Sequence, residues 1–273
     1  LEALDGGDPV APADHRDKVM RLRMGGTAEE VWRTQHRCRG WWDLDEPGRL
    51  IAQEHDRDRR WHTTWLVDLA GEHRVLFDHS EDEAYADPGT PLVRRHPDGR
   101  QTVRRDGAAI FLRGDGATPD GDRPFLDRFD LVTGTVKRLH ASPADALEPV
   151  LAMLSQDELL VRRESPTEPP NLFVGGRRLT DFTDPHPQLT GMTKQLRAHE
   201  RPDGVALSGV LHLPPGYDRE RDGRLPLVIW AYPLDYGGAD TAGQVRGSAK
   251  GFTRLSALVR MRSRVAGCTG RGD

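Results

Sequence analysis

One shape recurs along this chain: a short strand, a tight turn at glycine, and a second strand ending on an apolar residue. It occurs as TWLVDLAGEHRVLFD at residues 64–78, DRFDLVTGTVKRLH at 127–140 and NLFVGGRRLTDF at 171–182. A weaker copy, DKVMRLRMGGTAEEVWRT, occupies residues 17–34. The apolar positions Trp65 and Val67, or Phe129 and Leu131, alternate with period 2, as half-buried strands do. Gly71, Gly134 and the pair Gly175–Gly176 supply the positive φ that a hairpin turn demands. Measured between the apolar ends Trp32, Leu76, Leu139 and Leu179, the copies stand 44, 63 and 40 residues apart. Repeats of about 40–50 residues holding several short strands point to propeller blades. The long interval then needs an insertion, and RGDGATPDGDRP at 113–124 has the composition of one. A two-sheet sandwich with irregular loops is the other architecture these hairpins allow.

Near residue 190 the texture changes. A strand precedes the Asp203–Gly204 turn, and a second follows with Val205, Leu207, Leu211 and Leu213 on one face. Pro214 and Pro215 end it, because proline has no N–H to give a sheet ladder. After the polar turn DRERDGR comes LPLVIWAY, apolar on both faces, as expected of a strand covered by helices on either side of its sheet. Two domains follow: a β-rich repeat region over residues 1–192 and the opening of an α/β domain over 193–273.

Composition removes several function classes. The chain has 273 residues and a formal net charge of −4, so neither a nucleic acid nor an acidic membrane surface is an expected partner. No run approaches the ~18 apolar residues of a membrane-spanning helix. Cys38 and Cys268 make neither a disulfide framework nor a metal-ligand spacing and read as unrelated thiols. Lysine occurs only at 18, 137, 194 and 250 while arginine is abundant, a bias of coding genome rather than a basic patch. No charged-then-apolar leader follows Leu1, and a bacterial cytoplasm or periplasm is the expected compartment. Oligomeric state is not read from the sequence.

Longer motifs carry a resemblance. HRDKVM, HDRDRRWHTTWLVD, DPGTP, GDRPFLDRFDLVTG, RRESPTEPPN, DGVALSGVLHLPPGYD, LPLVIWAYP and AGQVRGS follow one another in one order from about residue 8 to about residue 255. Together they resemble the prolyl oligopeptidase family of serine peptidases, most of all its glutamyl endopeptidase branch of plastids and bacteria. The resemblance implies a partial β-propeller, its C-terminal blades, followed by the start of an α/β-hydrolase domain. It also implies peptide substrates, hydrolysis through an acyl-enzyme, and no cofactor or metal.

In that family a tyrosine just past an early buried strand lends its hydroxyl to the oxyanion hole, where donors must meet developing negative charge. The matching residue is Tyr232, with Pro233 fixing the turn after it; Tyr236, in YGG, is the rival. The alternative for either is a tyrosine capping a strand and packing its ring. Acyl transfer also needs a nucleophile, a base and an orienting carboxylate. None of Ser80, Ser142, Ser155, Ser165, Ser208, Ser248, Ser256 and Ser263 sits in Gly-x-Ser-x-Gly, so no triad member is assigned. The chain alone is therefore expected to be inactive. From about residue 257 the family pattern is lost: RMRSRVAGCTGRGD shows no strand-like apolar run, and the expectation is a tail out of frame or an interrupted gene.

Other signals have simpler explanations. His55, Asp56, Asp58 and His62 in HDRDRRWH meet no metal-ligand spacing and read as a charged strand end. Glu164 and Glu168 lie among prolines in a strand-connecting loop, RGDGATPDG lacks the strand-to-helix context of a phosphate loop, and the Arg271–Asp273 tripeptide is a chance of the tail. Two functions remain: a serine endopeptidase seen in part, or a non-catalytic propeller-type interaction module.

Overall fold

The computed structural model describes residues 1–8, 10–22, 25–230, 237–252 and 266–269. It is built from strands. The first sheet joins Glu2–Ala3, Asp17–Leu22 and Ala28–Thr34. The second is a meander of Arg37–Glu46, Arg49–Asp56, Trp61–Asp68 and His73–Ser80. Val93–Arg95 and Gln101–Val103 extend it through one parallel pairing, Thr102 with Asp43. Arg105–Asp106, Ala109–Gly114, Phe125–Asp130 and Val136–Ala141 form the third, with Thr90–Pro91 on Ala109–Gly114. The fourth runs through Val150–Met153, Leu159–Arg163, Asn171–Val174 and Arg177–Arg178.

The three stronger hairpins expected from the sequence are thus each the outer half of a four-stranded meander in sequence order, as in a blade, while the weaker copy at 17–34 lies in a sheet of three described strands. The glycines turn as expected, with φ of +123° at Gly71 and +71° at Gly134. Residues 115–124 form the loop between two strands of the third sheet, where an insertion was expected. Strands 93–95 and 101–103 account for the rest of the long interval. Two of the apolar ends mark edges rather than core: Leu139 and Leu179 are 39% and 45% exposed because each lies at or just past the outermost strand of its sheet, whereas Leu76 packs against the core of the first unit.

By contacts the chain divides into two compact units. The first comprises Leu1–Glu81, Thr90–Leu112 and Arg128–Lys137. Its core gathers Leu44, Ile51, Leu66, Val103, Ile110, Leu112, Phe129 and Leu131, with Phe77 tilted on Phe129 at 4.9 Å. Complete burial of a Leu or Ile side chain stabilises by about 1.5–3 kcal/mol. The other face of the second sheet is covered too, since Trp65 meets Trp32 edge-on at 6.1 Å. The simple alternation expected at Trp65 and Val67 therefore gives way to packing on both faces. Arg37 pairs with both Asp5 and Asp17, and its guanidinium holds the Asp5 carboxyl well below the usual carboxylate range. Burial pushes the Cys38 thiol up and keeps it protonated.

The second unit comprises Asp82–Gly89, Arg113–Asp127 and Arg138–Asp273. Its last sheet orders Thr193–Glu200, Ala206–Leu213, Ala266–Thr269 and Leu227–Trp230. The Asp203–Gly204 turn stands as expected, with Gly204 at φ +85°. Three expectations change here. In Ala206–Leu213 the deeply buried side chains are Val210 and His212, at 8% and 3% exposure, on the face opposite the leucines. The reason is segment 237–252, which covers that face: Ser208 donates to the Gln244 carbonyl and Lys194 to that of Gly251. Leu227 and Ile229 are 57% and 69% exposed, so the described residues put no cover over that face of the strand. And Ala266–Thr269, in the tail that lacks an apolar run, is a strand between two others, because a ladder asks for main-chain N–H and C=O groups before it asks for apolar side chains. The α-helix among the described residues is one turn, Arg219–Asp222, capped by Asp218; none there is long and apolar enough to cross a membrane.

Candidate functional site

Leu227–Trp230 leads directly to the candidate tyrosine. It pairs in parallel with Ala266–Thr269, Leu227 opposite Ala266 and Trp230 opposite Thr269. Tyr232 and its rival Tyr236 lie outside the described residues. The segment that follows them, 237–252, is described and is anchored within the second unit by three buried carboxylates.

Asp82 Oδ2 accepts the Gly237 N–H at 2.9 Å, while the Asp82 carbonyl accepts from Arg246 at 2.8 Å. Asp122 and Gly247 exchange two bonds, Gly247 N–H to Asp122 Oδ1 and Asp122 N–H to the Gly247 carbonyl, each 3.0 Å. Glu164 Oε2 accepts from the Phe252 N–H at 2.9 Å. A carboxylate out of water is costly unless donors surround it, and a donated N–H held by a charge is among the stronger hydrogen bonds. Neighbours reinforce the anchor. Gln244 Oε1 accepts the Ala84 N–H at 2.8 Å, and the Tyr85 hydroxyl accepts from Val245 N–H at 2.8 Å. Gly121 has φ +95°, and a Cβ there would stand 3.2 Å from the Gly247 carbonyl oxygen, so a side chain at 121 would push the two segments apart.

Glu164 and Glu168, placed by sequence in a connecting loop, stay there, between Leu159–Arg163 and Asn171–Val174. Glu164 turns inward to Phe252 and Glu168 pairs with Arg178 at 3.6 Å, so the two are not an acid/base pair. Sequence reasoning missed Asp82 and Asp122 as anchors. Asp122 directly follows the Gly121 turn of TPDGD and Asp82 stands five residues ahead of DPGTP, and neither position carries a local signal for an anchor.

A second cluster lies in the first unit. HDRDRRWH folds into a hairpin that sets His55 directly opposite His62, and His62 opposite His79 on the next strand. The rings of His55 and His62 are 4.7 Å apart, those of His62 and His79 5.8 Å. His55 Nε2 lies 2.9 Å from Glu81 Oε2, and its Nδ1 lies 3.3 Å from the Arg39 guanidinium. Arginine can only donate and a carboxylate only accept, so His55 carries its proton on Nε2. Burial, then the neighbouring His55, holds the His62 imidazole below its ordinary value. Asp56 instead accepts the N–H groups of Asp58 and Arg59 in the turn. The linear spacing of the histidines hid their proximity; the hairpin register creates it.

No family model matches the chain. It is 33% identical over 288 residues to a protein of Oryza sativa subsp. japonica called probable glutamyl endopeptidase, chloroplastic, covering 94% of this chain and 30% of that protein. To the protein of the same name from Arabidopsis thaliana it is 33% identical over 300 residues, covering 97% of this chain and 31% of that one. The chain thus spans under a third of the length of the curated relatives it matches. Among solved structures it is similar to oligopeptidase B from Trypanosoma brucei with covalently bound antipain, closed form. The TM-score is 0.51 and the identity 14%, over 94% of this chain and 42% of that one. That likeness concerns the fold alone, and it agrees with a propeller-like array of blade-sized sheets, although no closed sheet is seen among the described residues.

Proposed function

We propose that this chain belongs to the prolyl oligopeptidase family of serine peptidases, with its glutamyl endopeptidases, and that it is a section of a peptidase hydrolysing peptide bonds through a serine acyl-enzyme. The observation that carries the reading is the 33% identity to two glutamyl endopeptidases over 94% and 97% of the chain. Residues 1–192 supply C-terminal propeller blades, and residues 193–273 open the α/β-hydrolase domain. The substrates are peptides cleaved after glutamate. Tyr232 offers its hydroxyl to the oxyanion of the tetrahedral intermediate. Its place two residues beyond a strand that pairs in parallel supports this, since α/β folds gather their chemistry at the carboxyl ends of such strands. The buried anchors Asp82, Asp122 and Glu164 hold the segment following that tyrosine.

No serine here stands in Gly-x-Ser-x-Gly and no triad member is assigned, so the chain alone is expected to cleave nothing. The test compares this chain with a longer protein from the same locus, using Glu-X peptides and a fluorophosphonate probe for a reactive serine. Labelling and cleavage are expected in the longer protein only. Labelling in neither would favour a non-catalytic propeller-type interaction module. In the longer protein, Tyr232→Phe should lower kcat about 100- to 1,000-fold, the usual effect of removing one oxyanion donor, with KM little changed. An unchanged kcat would remove Tyr232 from the oxyanion hole.

A further inference from the structure

We propose that His55, His62 and Glu81 form a binding site for a divalent transition-metal ion of the zinc type, open to solvent on the side of Glu81. One ligand atom from each of the three lies within 4.8 Å of those of the other two. Two imidazoles and a carboxylate are a ligand set that zinc accepts, with a fourth position left for water. Tetrahedral zinc places neighbouring ligand atoms roughly 3.4 Å apart. The His55–Glu81 pair is already closer than that, at 2.9 Å, so the remaining adjustment is side-chain rotation about fixed Cα positions. Those positions are held by the ladder. His55 and His62 are register partners, and the Glu81 N–H donates to the Arg60 carbonyl at 2.8 Å, closing the end of the same hairpin.

A second observation is independent of the spacing. His62 Nδ1 is buried and has no hydrogen-bond partner among the described residues. A buried ring nitrogen left unpaired is rare in a native structure and calls for a partner. Access is uneven: the His55 side chain is 8% exposed but that of Glu81 is 38%, which leaves an entry path from solvent. Binding also imposes a proton rearrangement. A metal on His55 Nε2 displaces the proton that Nε2 now donates to Glu81. The neutral ring then carries its proton on Nδ1, which becomes a donor facing the donor Arg39. Arg39 opposes the loaded state, and a residue able to accept from Nδ1–H would favour it.

The experiment is a titration of the full chain with Co²⁺, followed by its visible absorption and by competition with Zn²⁺. We expect one saturable Co²⁺ per chain. Glu81→Gln and His62→Asn should each weaken binding at least about tenfold, and Arg39→Gln should tighten it several-fold, since outer contacts shift metal affinity by about 10–100-fold. His36→Asn, outside the cluster, should change nothing. Equal Co²⁺ affinity in the wild type, Glu81→Gln and Arg39→Gln chains would overturn the proposal, as would no saturable uptake at all. Glu81 and Arg39 are exposed enough to be changed without loss of the fold, so this outcome does not depend on how well His62→Asn folds.

Discussion

The second sheet and the last sheet are both four-stranded over much of their extent, yet they are held in opposite ways. In the second, every strand has a sequential neighbour, and apolar side chains pack on both faces: Leu44, Ile51 and Leu66 on one, Trp65 against Trp32 on the other. In the last, one face carries Val210 and His212 under segment 237–252, while Leu227 and Ile229 project from an edge strand into solvent. The first unit buys its order with apolar contact; the last sheet relies on carboxylates accepting main-chain N–H groups. Burial of carbon stabilises a sheet at any pH, whereas a polar anchor ties stability to charge state.

The sharpest way to break this contrast is a pair of truncations. Ile51→Ala, at a side chain with 0% exposure, should destabilise the first unit by about 2–5 kcal/mol in a denaturant titration. Ile229→Ala should cost no more than about 0.5 kcal/mol, as surface substitutions do. Equal costs would mean that the exposed strand has a cover in solution.

The next effect is acid sensitivity of the last sheet. Burial, with the nearby Lys194 charge, pulls the His212 imidazole down to about 4 from 6.5. Unfolded, the ring takes up a proton below about 6.5; folded, it resists until about 4. The unfolded chain therefore binds more protons throughout that interval. Stability is full above 6.5 and falls as pH drops towards 4, by up to about 3 kcal/mol. Urea unfolding between pH 7 and 4 should show this slope, and His212→Leu should flatten it. A slope unchanged by the substitution would assign the acid sensitivity elsewhere.

Much of the first unit was legible because its information is local. A glycine between two alternating runs specifies a hairpin, and hairpins at near-constant spacing specify a meander. The last sheet was legible only in part. The strands before and after Asp203–Gly204 and the apolar LPLVIW run were evident, but which face is buried depends on segment 237–252, whose contacts are long-range. Leucines at 207, 211 and 213 signalled one face, and Lys194, Ser208 and His212 bind the other. The strand at Ala266–Thr269 carries no apolar signal at all, since its place comes from main-chain pairing. The anchors Asp82 and Asp122 and the facing histidines share that limit: each is defined by a partner many residues away or across a register. Tyr232 rests on its motif and lies outside the described residues.

A smaller effect tests the polar anchor itself. Asp122→Asn keeps the shape but gives Gly247 a neutral acceptor in place of a charged one, and should cost about 1 kcal/mol. Amide exchange at Gly247 should accelerate with it, while exchange at Leu66 and Val67 stays slow. Acceleration at both places would show that the two units unfold together and would weaken the contrast between them.

The smallest expected change in stability carries the most information about the edge strand. Leu227 and Ile229 are large apolar groups on a strand with one edge unpaired among the described residues, the arrangement that pairs with another chain or aggregates. Ile229→Lys puts a charge where the side chain already meets water, so unfolding free energy should move by less than about 0.5 kcal/mol. Self-association, measured by sedimentation, should fall at the same time, and the amides of Val228–Trp230 should exchange quickly in both forms. Strong protection of those amides in a soluble monomer, or a loss of stability well above 1 kcal/mol, would mean that this face is covered in solution. The last sheet would then owe its order to apolar contact as the second sheet does.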